Sequence, residues 1–166
     1  MTLSRLVVIA YGNPLRGDDG LAWHAAEELK QRNFPDVEIM ELHQLAPELA
    51  ETISRSDAVI FVDAAAATGQ GKPGEIRVVE MAAPGFGRDS ISPFHHQYSP
   101  PSLLALAAQL YGARPRAYIA SLVGKDFGPG ERLSSGVENA MPEFLARIEK
   151  LILEVTGSPP ESHRKT

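Results

Sequence analysis

The chain has 166 residues, 43% apolar and 22% charged, with sixteen basic against twenty-one acidic residues and a net charge of −5. That length suits one domain with a sizeable core, no stretch approaches the ~20 apolar residues of a membrane-spanning helix, and the acidic balance argues against general nucleic-acid affinity. Cysteine is absent, which excludes disulfides, thiolate metal sites and cysteine nucleophiles, so any metal must be held by carboxylate, imidazole, carbonyl or water.

The opening "MTLSRLVVIA" carries an apolar run too short for a signal-peptide core, so it reads as a first strand over 5–10 and the expected location is the cytoplasm. The run breaks into the turn-rich "YGNPLRGDDG" (11–20). "GLAWHAAEELKQRN" (20–33) then reads as a helix with Leu21, Ala25, Glu28 and Leu29 on one mostly apolar stripe. "VEIMEL" (37–42) and "DAVIFVD" (57–63) read as strands on either side of a helical "APELAETISRS" (46–56). "LVVIA" and "DAVIFVD" are nearly continuous apolar runs, as expected of central strands buried on both sides. "GEIRVV" (74–79) alternates instead, and is expected at an edge, antiparallel to its neighbour.

Ser99 and Pro100 have the chemistry of an N-cap and a first helical residue for "PPSLLALAAQLYG" (100–112). A strand "RAYIASLV" (116–123) follows. The last helix, "SSGVENAMPEFLARIEKLILEV" (134–155), has a wide apolar face of Val137, Met141, Phe144, Leu145, Ile148, Leu151 and Ile152, with Pro142 expected to start or kink it. Gly157 ends it. Residues 1–156 are expected to form one α/β domain and 157–166 a flexible tail. Alternation of strand and helix implies a three-layer arrangement: a mainly parallel, twisted five-stranded sheet with helices on both faces.

In such folds ligands bind beyond the carboxyl ends of the strands. Asp18 and Asp19 close the loop after the first strand, Asp63 closes "AVIFVD", and His95 and His96 precede the helix at 100. Taken singly, the first two suit a helix N-terminus, Asp63 suits a turn and a lone histidine is usually no ligand. Two carboxylates and an imidazole at one sheet edge would instead form a three-ligand site open to substrate. Nucleotide loops fit poorly. Gly12, Gly17 and Gly20 lack the dinucleotide spacing, and Asp18 stands where a P-loop has lysine, so no nucleotide cofactor is expected. No serine sits in a G-x-S-x-G elbow.

"GNPLRGDDG" after the first strand, "VIFVDA" at the end of the third, and a histidine just before a later helix resemble the nickel-iron hydrogenase maturation endopeptidases, over residues 5–153. The resemblance implies a single α/β domain and an endopeptidase that removes a C-terminal extension from a hydrogenase large-subunit precursor after nickel insertion. It assigns the metal-contacting positions to Asp19, at the end of G-N-x-L-x-x-D-[DE], to Asp63, and to His96, which is followed by Gln97; His95 is the second choice. "ELHQLAPELAE" (41–51) departs from the Gly- and Thr-containing segment of many members and adds His43 at the same sheet edge, either a recognition element or an ordinary loop histidine.

On this reading the nickel is presented by the precursor, and zinc or another divalent ion could take its place as a resident metal that lowers the pKa of an attacking water. Two oxygens and one nitrogen do not by themselves select nickel. No second catalytic acid or base is evident. Asp18 is available for that role, but the stronger expectation is that it supports the loop by accepting backbone amides. Two other classes stay open, a metal-dependent amidase or peptidase on small substrates and a non-catalytic chaperone that docks a metalloprotein. The oligomeric state, the particular hydrogenase and the cleavage site are not readable from the chain.

Overall fold

The computed structural model describes residues 6–66, 71–82 and 98–161. In chain order they form β1 (Leu6–Tyr11), α1 (Leu21–Gln31), β2 (Val37–Leu42), α2 (Leu49–Ser54), β3 (Ala58–Ala65), β4 (Ile76–Glu80), α3 (Pro100–Tyr111), β5 (Arg116–Val123) and α4 (Ser135–Thr156). One sheet contains all five strands in the order β2-β1-β3-β5-β4. The four strands β2, β1, β3 and β5 run parallel, and β4 closes the edge antiparallel to β5, as the alternation of "GEIRVV" implied.

Period-two side-chain alternation divides the core between the two faces of the sheet. Leu6, Val8, Ala10, Ile60, Val62, Ala120 and Leu122 face α1 and α4, where they meet Leu21, Ala25, Leu29, Phe144, Ile148 and Ile152. Val7, Ile9, Val59 and Phe61 face α2 and α3, against Leu49, Ile53, Leu103 and Ala107. Glu28 is exposed and does not belong to the stripe. The stripe follows Leu21, Ala22, Ala25, Ala26 and Leu29, because the helix meets the sheet along its small alanines.

The chain leaves β1 toward β2 through α1 on one face and reaches β3, on the other side of β1, through α2 on the opposite face. Right-handed crossovers running in opposite directions demand opposite faces. The strand order therefore reverses between β1 and β3, which opens a crevice at their carboxyl ends. Among the described residues no helix is long and apolar enough to cross a membrane.

Helix ends follow local chemistry. Ser99 caps α3 in a reciprocal capping box with Ser102, Pro100 is its first residue, and Gly112 and Gly157 end α3 and α4 in left-handed conformation. Pro142 neither starts nor ends α4, which runs continuously from 135 to 156. The buried face on both sides of it, Val137, Met141, Phe144 and Ile148, holds the helix across the missing N–H. The start of the expected tail is docked as well. Pro160 is buried, and the Glu161 N–H donates to the Asn33 carbonyl at 3.0 Å.

An interior proline costs about 3 kcal/mol of helix stability, partly offset by its restriction of the unfolded chain. Pro142→Ala should therefore stabilise the protein by about 1–2 kcal/mol, raising Tm by about 2–8 °C in calorimetry. A lower Tm would show that the proline is accommodated without strain.

Candidate functional site

The loop between β1 and α1 is a folded object rather than a flexible link. Gly12 has φ +149, and a Cβ there would lie 2.2 Å from the Asp19 carbonyl oxygen, so only glycine allows the chain to close on itself. Its N–H extends the β1–β2 ladder to the Leu42 carbonyl at 3.0 Å. Asn13 then turns the chain in two ways: its side-chain oxygen accepts the Leu15 N–H at 2.9 Å, and its own N–H donates to Asp19 Oδ2 at 2.7 Å. Gly17 has φ +54 and packs so tightly that a Cβ would meet the Asp126 carbonyl oxygen at 2.5 Å. A short 3-10 turn over Gly17–Gly20 leads into α1.

Asp18 faces inward. It is fully buried, and its carboxylate accepts four hydrogen bonds: from the N–H groups of Lys125 at 2.7 Å, Asp126 at 2.9 Å and Ser134 at 2.7 Å, and from the Ser134 hydroxyl at 2.7 Å. Burial opposes its charge, but these donors outweigh burial and hold the carboxyl below the ordinary carboxylate range. Its acceptor capacity is committed to the 125–134 segment, and it does not line the cavity described next. These bonds tie the loop to the 125–134 segment, as expected of a carboxylate that supports the loop by accepting backbone amides.

Asp19, the next residue, lies on the other side of the turn. Together with Asp63, Tyr11, Asn13, His43, Gln44 and Tyr98 it lines a cavity of about 380 Å³ at the carboxyl ends of β1 and β3. Asp63 falls on the α2/α3 face with Val59 and Phe61, and Tyr11 falls on the same face with Val7 and Ile9. The Tyr11 hydroxyl donates to Asp63 Oδ2 at 2.9 Å. Burial pushes Asp63 up to about 6; the hydrogen bonds from Tyr11 and the Ala64 N–H counter this, and the neighbouring charge of Asp19 adds to it. Burial and the same two carboxylates push the Tyr11 phenol well above its ordinary range, so it keeps its proton and donates the hydrogen bond to Asp63.

Two of the three expected metal-contacting residues, Asp19 and Asp63, therefore share one cavity. His96 and its alternative His95 lie outside the described residues. His43 reaches the cavity wall, its ring tilted against Trp23 with centroids 5.1 Å apart, while the Trp23 Nε1–H donates to the Leu42 carbonyl at 3.1 Å. Among the described residues no three His, Asp or Glu side chains are placed to hold an ion together, so His43 does not complete a ligand set with the two aspartates. The charge of Asp19 adds to the cost of ionising Asp63, and positive charge beside Asp63 would lower that cost. A larger hollow of about 800 Å³ on the α1/α4 side, lined in part by His24, Glu27, Arg132, Met141 and Leu145, contains none of these aspartates.

Sequence reasoning did not single out Tyr11. Its usable signal was positional: as the last residue of β1 it continues the parity of Val7 and Ile9 and stands beside the neighbouring strand that carries Asp63.

Two stability predictions follow from opposite pKa shifts. Asp18→Asn turns an amide toward backbone donors and should cost about 2–4 kcal/mol, lowering Tm by about 4–16 °C at pH 7. The folded Asp18 pKa lies below its ordinary 3.8, so its contribution is complete above that value and is lost as pH falls through the lower folded one. The variant should lack that acid-dependent loss in a pH series of denaturant melts. Asp63 has the reverse sign. Its ionisation is delayed to about 6, so wild-type stability falls as pH rises from about 4 toward 6. Metal-free Asp63→Asn should be more stable than wild type by about 1–2 kcal/mol at pH 7.5, after solvent screening, and level with it near pH 4.

No protein-family profile matches the sequence, and no protein of curated function matches it. Solved structures do. The hydrogenase maturating endopeptidase HybD from E. coli superposes with a TM-score of 0.70 at 22% identity, over 95% of this chain and 98% of that one. The solution structure of an endopeptidase from Escherichia coli gives 0.73 at 23% identity, over 96% and 99%. The [NiFe] hydrogenase maturation protease HycI from Thermococcus kodakarensis gives 0.63 at 25% identity, over 92% of each chain. The loop, switch-point crevice and five-stranded sheet described above are thus carried on the fold of the hydrogenase maturation proteases.

Proposed function

We propose that this chain is an endopeptidase that removes the C-terminal extension of a nickel-iron hydrogenase large-subunit precursor, with nickel already inserted in that precursor as the recognition signal. The observation that carries the reading is the meeting of Asp19 and Asp63 in one cavity at the β1/β3 switch point. The fold shared with hydrogenase maturation proteases supports the reaction class.

In this reading the nickel belongs to the substrate. Asp19, Asp63 and His96 reach for it when the two proteins dock; a resident divalent ion such as zinc is the competing arrangement. Bound there, an ion supplies positive charge to polarise a carbonyl or acidify a water. The chain's own groups orient the encounter. Asn13 holds one oxygen of Asp19 through its N–H, and the Tyr11 hydroxyl holds one oxygen of Asp63. Hydrolysis adds water across one peptide bond, so the product is a precursor shortened at its C-terminus plus a free peptide.

Mass spectrometry of a nickel-loaded large-subunit precursor tests the reading. Wild type should shorten it, and Asp19→Asn, Asp63→Asn and His96→Ala should each process it at least about 100-fold more slowly. Wild-type rates in all three variants would overturn the assignment of the site, and cleavage of a nickel-free precursor would overturn the recognition signal. An unchanged precursor mass with stable binding would identify a docking chaperone instead. Turnover of short peptides with stoichiometric metal would identify a metallopeptidase of small substrates.

A further inference from the structure

We propose that Tyr11 is a positioning residue for Asp63: its hydroxyl holds one carboxylate oxygen and so sets how the carboxylate is offered to a cation in the cavity. The inference deepens the reading above and rests on it for its kinetic arm alone.

The argument begins with the backbone. Tyr11 is the last residue of β1 and is paired with Leu42 of β2, and the next residue continues the ladder through the Gly12 N–H to the Leu42 carbonyl. The origin of the tyrosine side chain is therefore fixed. On the other side of β1, Ala10 is in register with Val62 of β3, which leaves Tyr11 and Asp63 as the next residues of adjacent parallel strands on one face of the sheet. A tyrosine has only two side-chain torsions before its hydroxyl, so a fixed origin and a packed ring fix the donor. That donor lies 2.9 Å from Asp63 Oδ2, and both side chains line the cavity that Asp19 enters.

Phenol chemistry suits this task better than a basic side chain would. Lysine or arginine could hold Asp63 equally well, but each would neutralise the carboxylate and repel an incoming cation. Tyrosine donates one neutral hydrogen bond and leaves the negative charge in place. Partners that orient a ligating carboxylate in this way typically change metal affinity or activity about 10- to 100-fold when removed.

Tyr11→Phe removes the hydroxyl and keeps the ring. Two measurements decide its role. In the first, Zn²⁺ is titrated into the protein alone and followed at the Asp63 carboxyl carbon by NMR; wild type should respond, and Tyr11→Phe should need about 10-fold more zinc for the same response. In the second, nickel-loaded precursor should be processed with kcat/KM about 10-fold lower. An amide spectrum matching wild type away from the cavity excludes a folding defect. A role in packing alone would leave the zinc response and kcat/KM unchanged, which overturns the proposal; so would a wild-type Asp63 that does not respond to zinc. Should wild type fail to cleave the precursor, the proposed function falls, while the zinc titration still decides the role of Tyr11.

Discussion

The carboxylate of Asp18 is the interaction on which the rest of the site depends. It draws two backbone amides, Lys125 and Asp126, and both donors of Ser134 onto one buried group. Ser134 is also the N-cap residue of α4, and its hydroxyl turns to Asp18 instead of capping its own helix. A negative charge from a distant loop thereby meets the amino end of α4, where helix amides and dipole favour an anion. The same turn is tied at Gly17 and Leu15, whose N–H and carbonyl groups exchange bonds with Gly130. With the loop anchored at one aspartate, the adjacent one can be exposed to the cavity at low entropic cost, because its backbone is already ordered.

Adjacent aspartates thus serve opposite ends. Asp18 is buried and saturated with donors, which stabilises both its charge and the fold. Asp19 and Asp63 line the cavity with fewer donors, and burial makes Asp63 harder to ionise. The cost of ionising Asp63 is left in the cavity, whereas the donors to Asp18 outweigh the cost of its burial. Such a division is common where function requires unfavourable charge: stability is recovered in the surrounding scaffold.

The wall of the cavity also carries features particular to this chain. His43 lies against Trp23, which is itself tethered to the end of β2, so the loop after β2 contributes an aromatic border rather than a third ligand. Tyr11 adds a second ring at the end of β1. Both are held by strand ends, the most rigid part of the crevice, and this is why small side-chain differences there can alter what the cavity accepts.

Much of the architecture is local and was therefore legible from the chain. Apolar runs and their periods marked every strand and helix, the alternation of "GEIRVV" marked an antiparallel edge, and Ser99, Pro100 and Gly157 marked helix ends, because each of those signals depends on neighbours a few residues away. The pairing of Asp19 with Asp63 was reachable too, since strand order places loop residues at a common sheet edge. What only tertiary structure decided depends on groups far apart in sequence. The donors to Asp18 lie 107–116 residues away, the hydroxyl that holds Asp63 comes from 52 residues away, and Glu161 returns to Asn33. Pro142 reads as a start or a kink by propensity, but the helix begins before it and is held by the buried face on both sides. Local propensity is set by torsions and adjacent side chains, whereas which of two neighbouring carboxylates is buried and which is offered to a ligand is set by the donors that folding brings to them.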